Sequence, residues 1–262
     1  MASAVITSVR NPHVLELARL ARRRVRKQRG LHLVEGPHAV AEAVTAGVVV
    51  EVLTTDPAGV AASLGVDPVG TPVTGVSDDV LARLADSKTP QGVVAVARTP
   101  VHTLADALAG RLAVVLLAVA DPGNAGTVIR TADAAGAAGV VLTDGSVDPF
   151  GPKALRAAAG STYHLPVVTG VTVDDVVDAC RRSGVRLAVL DGAGPGSVFD
   201  LEGSDAPLAL ALGNEAHGVD PQVRDAADEV VAVPIAGRAE SLNVAAAAAV
   251  AVYAAARHRS GW

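Results

Sequence analysis

Three polar clusters interrupt a chain of 262 residues that is half apolar. The first is Asp121-Pro-Gly-Asn-Ala-Gly-Thr-Val-Ile-Arg130, with Asn124 and Arg130 as its chemically capable side chains. The second is Gly213-Asn-Glu-Ala-His-Gly218, which carries Glu215. The third runs from Pro234 to Val244 and holds Glu240, Ser241 and Asn243. Such residues in loops suit chemistry in which a substrate is oriented and a developing charge meets fixed hydrogen-bond donors. Each also has an ordinary alternative. Arg130 sits among Val128, Ile129, Ala132, Ala134 and Ala135, where an ion pair with Asp133 or another acid explains it equally well. Ser241 and Asn243 are residue types that cap helices, and an alanine-rich helix follows them. The clusters carry a common function only if the fold brings them together.

Periodicity describes the elements that would do so. A basic helix comes first, with Val14, Leu17, Leu20 or Ala21, and Val25 at helical spacing. Strand 31–35, helix 37–46, strand 48–54, helix 58–64, strand 71–76, helix 78–85 behind Ser77 and strand 92–97 make residues 1–98 a small α/β unit. Residues 99–110 read as a linker and a short helix capped by Thr103. Residues 111–262 form a second α/β domain: strand 113–119, helix 125–135, strand 139–143, helix 152–159, strand 165–168, helix 173–182, strands 186–190, 208–212 and 230–233, and a closing helix from Ser241. Its apolar strands predict a doubly wound parallel sheet, whose ligand lies beyond the carboxyl ends of the strands. All three clusters follow such ends, as does the long glycine-rich loop 191–206.

Composition excludes several functions. The single Cys180 allows no internal disulfide, and no Cys/His cluster has zinc spacing, so a cytosolic protein without a metal is expected. The longest apolar run, 244–256, is too short for a bilayer, and no signal-peptide core opens the chain. Five aromatic residues provide no stacking platform for single-stranded nucleic acid. The net charge is −5, yet residues 1–30 hold eight cations against Glu16, a local +7 that leaves −12 elsewhere. Arg22, Arg23, Arg24, Arg26, Lys27 and Arg29 are the candidates for contact with a polyanion such as RNA. The wet side of an amphipathic helix is the alternative reading of the same run.

In this order the clusters resemble the three motifs of the SpoU/TrmH family of SPOUT RNA methyltransferases: Asn-x-Gly-x-x-x-Arg, Gly-Asn-Glu-x-x-Gly and Pro-x-x-Gly-x-x-Glu-Ser-Leu-Asn-Val-x-x-Ala. More loosely, Ile6-Thr-Ser-Val-Arg-Asn-Pro and Leu31-His-Leu-Val-Glu-Gly resemble the start of the L30e-like substrate-binding domain of many members. The resemblance implies a C-terminal domain threaded into a deep trefoil knot, an exception to ordinary chain topology. It implies a homodimer with its active site at the subunit interface, and methylation of an RNA ribose 2′-hydroxyl by S-adenosylmethionine. The cofactor would be held by loops containing Leu190, Asp191, Gly192 and Ala193, Leu212 and Gly213, Gly218, Ile235, Ser241 and Leu242, with Ala245 nearby. A guanidinium stays protonated, so Arg130 would bind the ribose or its phosphate and stabilise a developing alkoxide rather than act as a base. Asn124 would orient Arg130 or the ribose, Glu215 would anchor Arg130 or the closing loop, and Ser241 and Asn243 would fix loops and substrate. Possession of the L30e-like domain favours 23S rRNA over tRNA as the target, and a catalytically silent RNA-binding protein is the alternative of a different class. A nicotinamide-dependent oxidoreductase fails because Asp191-Gly-Ala-Gly-Pro-Gly lacks the G-x-G-x-x-G spacing.

Overall fold

A computed structural model describes residues 5–65, 70–201, 206–214 and 218–257. Contacts divide the chain into two units: one runs to Pro100 and includes Phe150–His164, and the other comprises Val101–Pro149 and the chain from Leu165 onward.

In the first unit the basic stretch forms two helices instead of the single one expected. Helix α1 (Pro12–Ala18) and helix α2 (Arg23–Arg29) are separated by a 3₁₀ turn at Arg19–Ala21, and Arg22 is extended. The break interrupts the helical hydrogen-bond ladder, and Arg26 supplies donors to it. Its Nη1 lies 2.8 Å from the Leu20 carbonyl and 2.9 Å from that of Ala21. Arg26 is only 6 % exposed, which corrects its inclusion among the surface cations. Strand β1 (Leu31–Glu35), α3 (Pro37–Thr45), β2 (Val49–Thr54), α4 (Pro57–Leu64), β3 (Val73–Gly75), α5 (Asp78–Leu84) and β4 (Val93–Arg98) complete the α/β unit.

Its four strands are ordered β1-β4-β2-β3, with β4 antiparallel to both neighbours. Strand alternation sends Leu53, Val94 and Val96 to a core with α1 and α5, while Val52, Val93, Ala95 and Ala97 pack with α3 on a second core. Sequence patterning places Phe150–His164 in the second domain, whereas its contacts lie here. Tyr163 packs on the second core, and its hydroxyl meets buried His32 Nε2 at 2.8 Å. Burial raises the Tyr163 pKa, which keeps that hydroxyl protonated.

The second unit contains α6 (Leu104–Ala107), β5 (Leu112–Leu116), α7 (Pro122–Ala134) and β6 (Gly139–Thr143). After α8 (Pro152–Ala158) of the first unit it continues with β7 (Val167–Val171), α9 (Val173–Ser183), β8 (Arg186–Leu190), β9 (Gly196–Ser197), β10 (Leu208–Leu212), α10 (Pro221–Ala226), β11 (Glu229–Ala232) and α11 (Val244–Arg257). The seven strands are parallel in the order β7-β6-β5-β10-β8-β11-β9. Strands β5, β6 and β10 are buried throughout, as the near-continuous apolar runs require. Helices α9 and α10 pack on one core with Val115, Val141, Val189 and Ala211. Ala245, Ala248, Ala251, Val252, Ala255 and Ala256 line the buried stripe of α11, whose small side chains let it pack on α7, β5 and β10. Among the short elements not foreseen are α10 and the β9 pairing within the loop 191–206.

Candidate functional site

The carboxyl ends of β8 and β10, the chain after β11 and the start of α11 enclose a cleft of about 440 Å³, within the usual size for a small-molecule site. Leu190, Asp191 and Gly192 come from the end of β8. Leu212, Gly213, Asn214, Gly218 and Val219 come from the end of β10. Val233, Ile235, Glu240, Ser241, Leu242, Asn243, Val244 and Ala247 complete the wall. Glycine is required at 213, because a Cβ there would stand 2.4 Å from the Gly218 carbonyl oxygen. Asn214 and Gly218 exchange backbone hydrogen bonds of 2.9 Å in both directions, and Gly218 takes a φ of +68°. Leu190, Leu212, Val219, Val233, Ile235, Leu242 and Val244 give the cleft aliphatic walls.

The third cluster is organised by Asn243. Helix α11 starts at Val244, not at Ser241, and Asn243 is its cap: Oδ1 accepts from Ala245 N at 2.9 Å and from Ala246 N at 3.3 Å. Asn243 Nδ2 also donates to Asn124 Oδ1 at 3.2 Å, joining the third cluster to the first. A second link runs from Asn214 Nδ2 to the Ala118 carbonyl, 2.6 Å away, in the turn between β5 and α7. Ala118 has a φ of +49°, uncommon for a residue with a side chain, and its N–H is 3.1 Å from Thr143 Oγ1. Asp121 caps α7 through Asn124 N.

Of the residues the sequence singles out, Leu190, Asp191, Gly192, Leu212, Gly213, Gly218, Ile235, Ser241, Leu242 and Asn243 line the cleft. Ala193 does not; its N–H instead donates to Asp191 Oδ1 at 2.9 Å. Ala245 is buried behind the wall, and Ala247 takes the lining position. Asn124 does not line the cleft but bonds to Asn243, which does. Arg130 is exposed on α7, and among the described residues its side chain makes no hydrogen bond or ion pair, so the alternative of a salt bridge to Asp133 or another acid is not formed there. Six helical residues turn it about 120° from Asn124 and carry it about 9 Å along the axis. Glu215 lies outside the described residues.

Asn214 was missed as an individual residue although it stands inside the quoted Gly213–Gly218 motif. Ala247 is legible only once helix phase is known. Arg224, on the unforeseen α10, reaches Asp191 Oδ2 at 2.9 Å; an isolated arginine outside every motif gave no signal. The cleft's lining acids are Asp191 and Glu240, and among the described residues no basic side chain lines it. Cys180 is not a nucleophile: it is buried, and burial first, then Asp228, pushes its thiol pKa up to about 11. Among the described residues no cluster of His, Cys, Asp and Glu could hold a metal ion, and no helix is long and apolar enough to cross a membrane.

On the basic arm, Arg22, Arg23, Arg24 and Lys27 are exposed. Arg29 pairs with Glu16 at 2.8 Å. The arm's usable positive charge is therefore smaller than the sequence count.

Family comparison accords with this geometry. Residues 111–253 match the SpoU rRNA Methylase family, and residues 11–95 match an MRM3-like substrate binding domain. The chain is 38 % identical over 252 residues to the 23S rRNA (guanosine(2553)-2′-O)-methyltransferase RlmP of Bacillus subtilis, covering 95 % of this chain and 97 % of that protein. An AdoMet-bound rRNA methyltransferase from Sinorhizobium meliloti superposes with a TM-score of 0.89 at 31 % identity, covering 98 % of each chain. The SpoU methyltransferase AviRb from Streptomyces viridochromogenes, in complex with AdoMet, gives 0.85 at 32 % identity over 96 % of this chain and 99 % of that one. The match over both units, with the second and third clusters lining one cleft and the Asn243–Asn124 bond joining the first cluster to it, makes this chain a member of the SpoU rRNA methylase family.

Proposed function

We propose that this protein transfers a methyl group from S-adenosylmethionine to a ribose 2′-hydroxyl of 23S rRNA. The observation that carries the reading is the cleft at the ends of β8 and β10, walled by the second and third clusters and joined to the first by the Asn243–Asn124 bond. The cleft suits the cofactor in size and chemistry. Leu190, Leu212, Ile235 and Leu242 offer apolar walls, glycine turns offer backbone polar groups, and Glu240 offers a negative charge unpaired among the described residues. When bound, S-adenosylmethionine supplies an electrophilic methyl group on a cationic sulfur.

The protein's own task is alignment and charge. The 2′-hydroxyl is a weak nucleophile, so Arg130 holds the ribose or its phosphate and stabilises the oxygen as its proton leaves to phosphate or water. Asn243 fixes the first turn of α11 and, through Asn124, the start of α7. Ser241, exposed at the rim, fixes the loop and the substrate, and Glu215 anchors Arg130 or the closing loop.

Arg130 is absent from the cleft lining of its own chain, which supports a homodimer in which the partner subunit's Arg130 serves this cleft. Exposed Phe199 and Tyr253 supply apolar surface for such an assembly. The trefoil knot implied by the family is supported by the insertion of β10 between β5 and β8 and by the packing of α11 on the turn Val198–Asp200. An rRNA substrate implies the cytoplasm. Arg22, Arg23, Arg24 and Lys27 bind RNA backbone, while Arg26 supports the arm that presents them.

Incubation with labelled S-adenosylmethionine and unmodified RNAs tests the reading. Label is expected in 23S rRNA as a 2′-O-methyl group. Label confined to tRNA overturns the substrate, and cofactor binding without transfer to any RNA overturns the activity.

A further inference from the structure

Asp191 heads the loop on one side of the cleft, and its polar groups are engaged within the protein. Its N–H donates to the Val231 carbonyl at 2.9 Å, and its own carbonyl accepts from Gly194 N at 2.8 Å. Oδ1 accepts from Ala193 N at 2.9 Å, and Oδ2 accepts from Arg224 Nη1 at 2.9 Å. The turn is also packed against β11, since a Cβ on Gly194 would stand 2.9 Å from the Val231 carbonyl carbon. A carboxylate that lines a ligand cleft is thus committed to shaping the turn 191–194. The group that fixes it comes from α10, 33 residues away.

The ion pair is partly solvated, with side-chain exposures of 41 % for Arg224 and 20 % for Asp191, so it adds little to overall stability. Its consequence is local. Arg224 holds the carboxylate in the rotamer that receives Ala193 N, and so holds the backbone of 191–194 in one shape. It also neutralises Asp191, leaving Glu240 as the uncommitted charge of the cleft among the described residues.

We infer that Arg224 is a positioning residue for the methyl-donor site, acting through Asp191 on the turn 191–194. This rests on the reading of the cleft as the cofactor site. Calorimetry of S-adenosylmethionine binding to the full-length protein, with steady-state kinetics, tests it using R224A, R224K, D191N, D191N/R224A and A247W, each checked for folding by circular dichroism. R224A is expected to weaken binding about three- to tenfold, within the range of a coupled polar pair. It should raise KM for the cofactor, with kcat at saturating cofactor and KM for RNA unchanged. R224K should recover most of the affinity, and R224A should add nothing in the D191N background. A247W, which fills the cleft from α11, should abolish binding.

Normal affinity in R224A while A247W is silent overturns the inference alone. Full additivity of R224A and D191N also overturns it, because Arg224 would then act elsewhere. Normal affinity in A247W overturns the cleft reading and the inference with it. If R224A fails to fold, R224K and D191N carry the test, and normal affinity in both overturns the inference.

Discussion

The cleft of the second unit and the basic arm of the first hold charge in opposite ways. In the cleft, Asp191 is tied to Arg224, Asn243 is spent on a helix cap and on Asn124, and Asn214 grips the Ala118 carbonyl. Most polar groups there shape the wall. On the arm, Arg22, Arg23, Arg24 and Lys27 project into solvent, and only Arg26 and Arg29 are engaged, one with backbone carbonyls and one with Glu16. A site for a small ligand requires preorganised geometry. A site for a phosphate backbone requires mobile charge, whose effect is counterion release. Arg130 follows the second pattern while standing on the helix linked to the first, being exposed and unpaired among the described residues.

The sharpest break between cofactor and substrate functions is expected from Arg130→Ala. Methyl transfer should fall about a hundredfold or more, as when a charge-stabilising donor is lost, while S-adenosylmethionine affinity stays within about twofold. A parallel loss of cofactor binding would place Arg130 in the cleft wall instead. Next in size is the arm. Replacing Arg22, Arg23, Arg24 and Lys27 by Gln should flatten the salt dependence of RNA binding by about three units of slope. Arg26→Gln should leave that slope unchanged and lower the melting temperature, because two backbone carbonyls lose their donor. If Arg26→Gln alone flattens the slope, the division of the arm into contact and support residues is wrong.

The same division governs how much was legible in sequence. Parallel strands buried on both faces announced themselves as apolar runs, and the ligand rim followed from where those runs end. The three clusters were visible because each follows the predicted carboxyl end of a strand, where such a sheet places its ligand. The break between α1 and α2 was not visible, since Val14, Leu17, Leu20 and Val25 fit a continuous helix. It depends on Arg26 turning inward, a tertiary event with no local pattern. The position of Phe150–His164 was hidden similarly, because the helical pattern of 152–158 is the same whichever sheet it packs on. Helix phase about α7 explains why Asn124 and Arg130, neighbours in a motif, face different surroundings.

Two smaller effects sharpen the comparison on the cleft side. Asn243→Ala should cost about 1 kcal/mol through loss of the α11 cap, read as a fall of a few degrees in melting temperature, and should also slow transfer because the Asn124 bridge is lost. A stable but fully active variant would remove Asn243 from the positioning network. The smallest effect lies outside both regions, in the capping box at the start of α9. The Thr172 hydroxyl, and then its N–H, hold the Asp175 carboxyl below its ordinary pKa. A depressed folded-state pKa gives stability that is present above the ordinary carboxylate range and is lost as pH falls through the lowered value. Asp175→Asn should therefore slightly reduce the difference between melting temperatures at neutral and strongly acidic pH. An unchanged difference would show that this box does not contribute to acid sensitivity.

The proposed function rests on a methyl-donor site at the ends of β8 and β10, walled by the second and third clusters and bridged to the first through Asn243 and Asn124. A crystal structure of the full-length protein with S-adenosylmethionine tests it most directly. The cofactor is expected between residues 190–192, 212–213 and 242–247, with the turn 191–194 held by Arg224. Cofactor bound at any other place, with this cleft filled only by solvent, would contradict it.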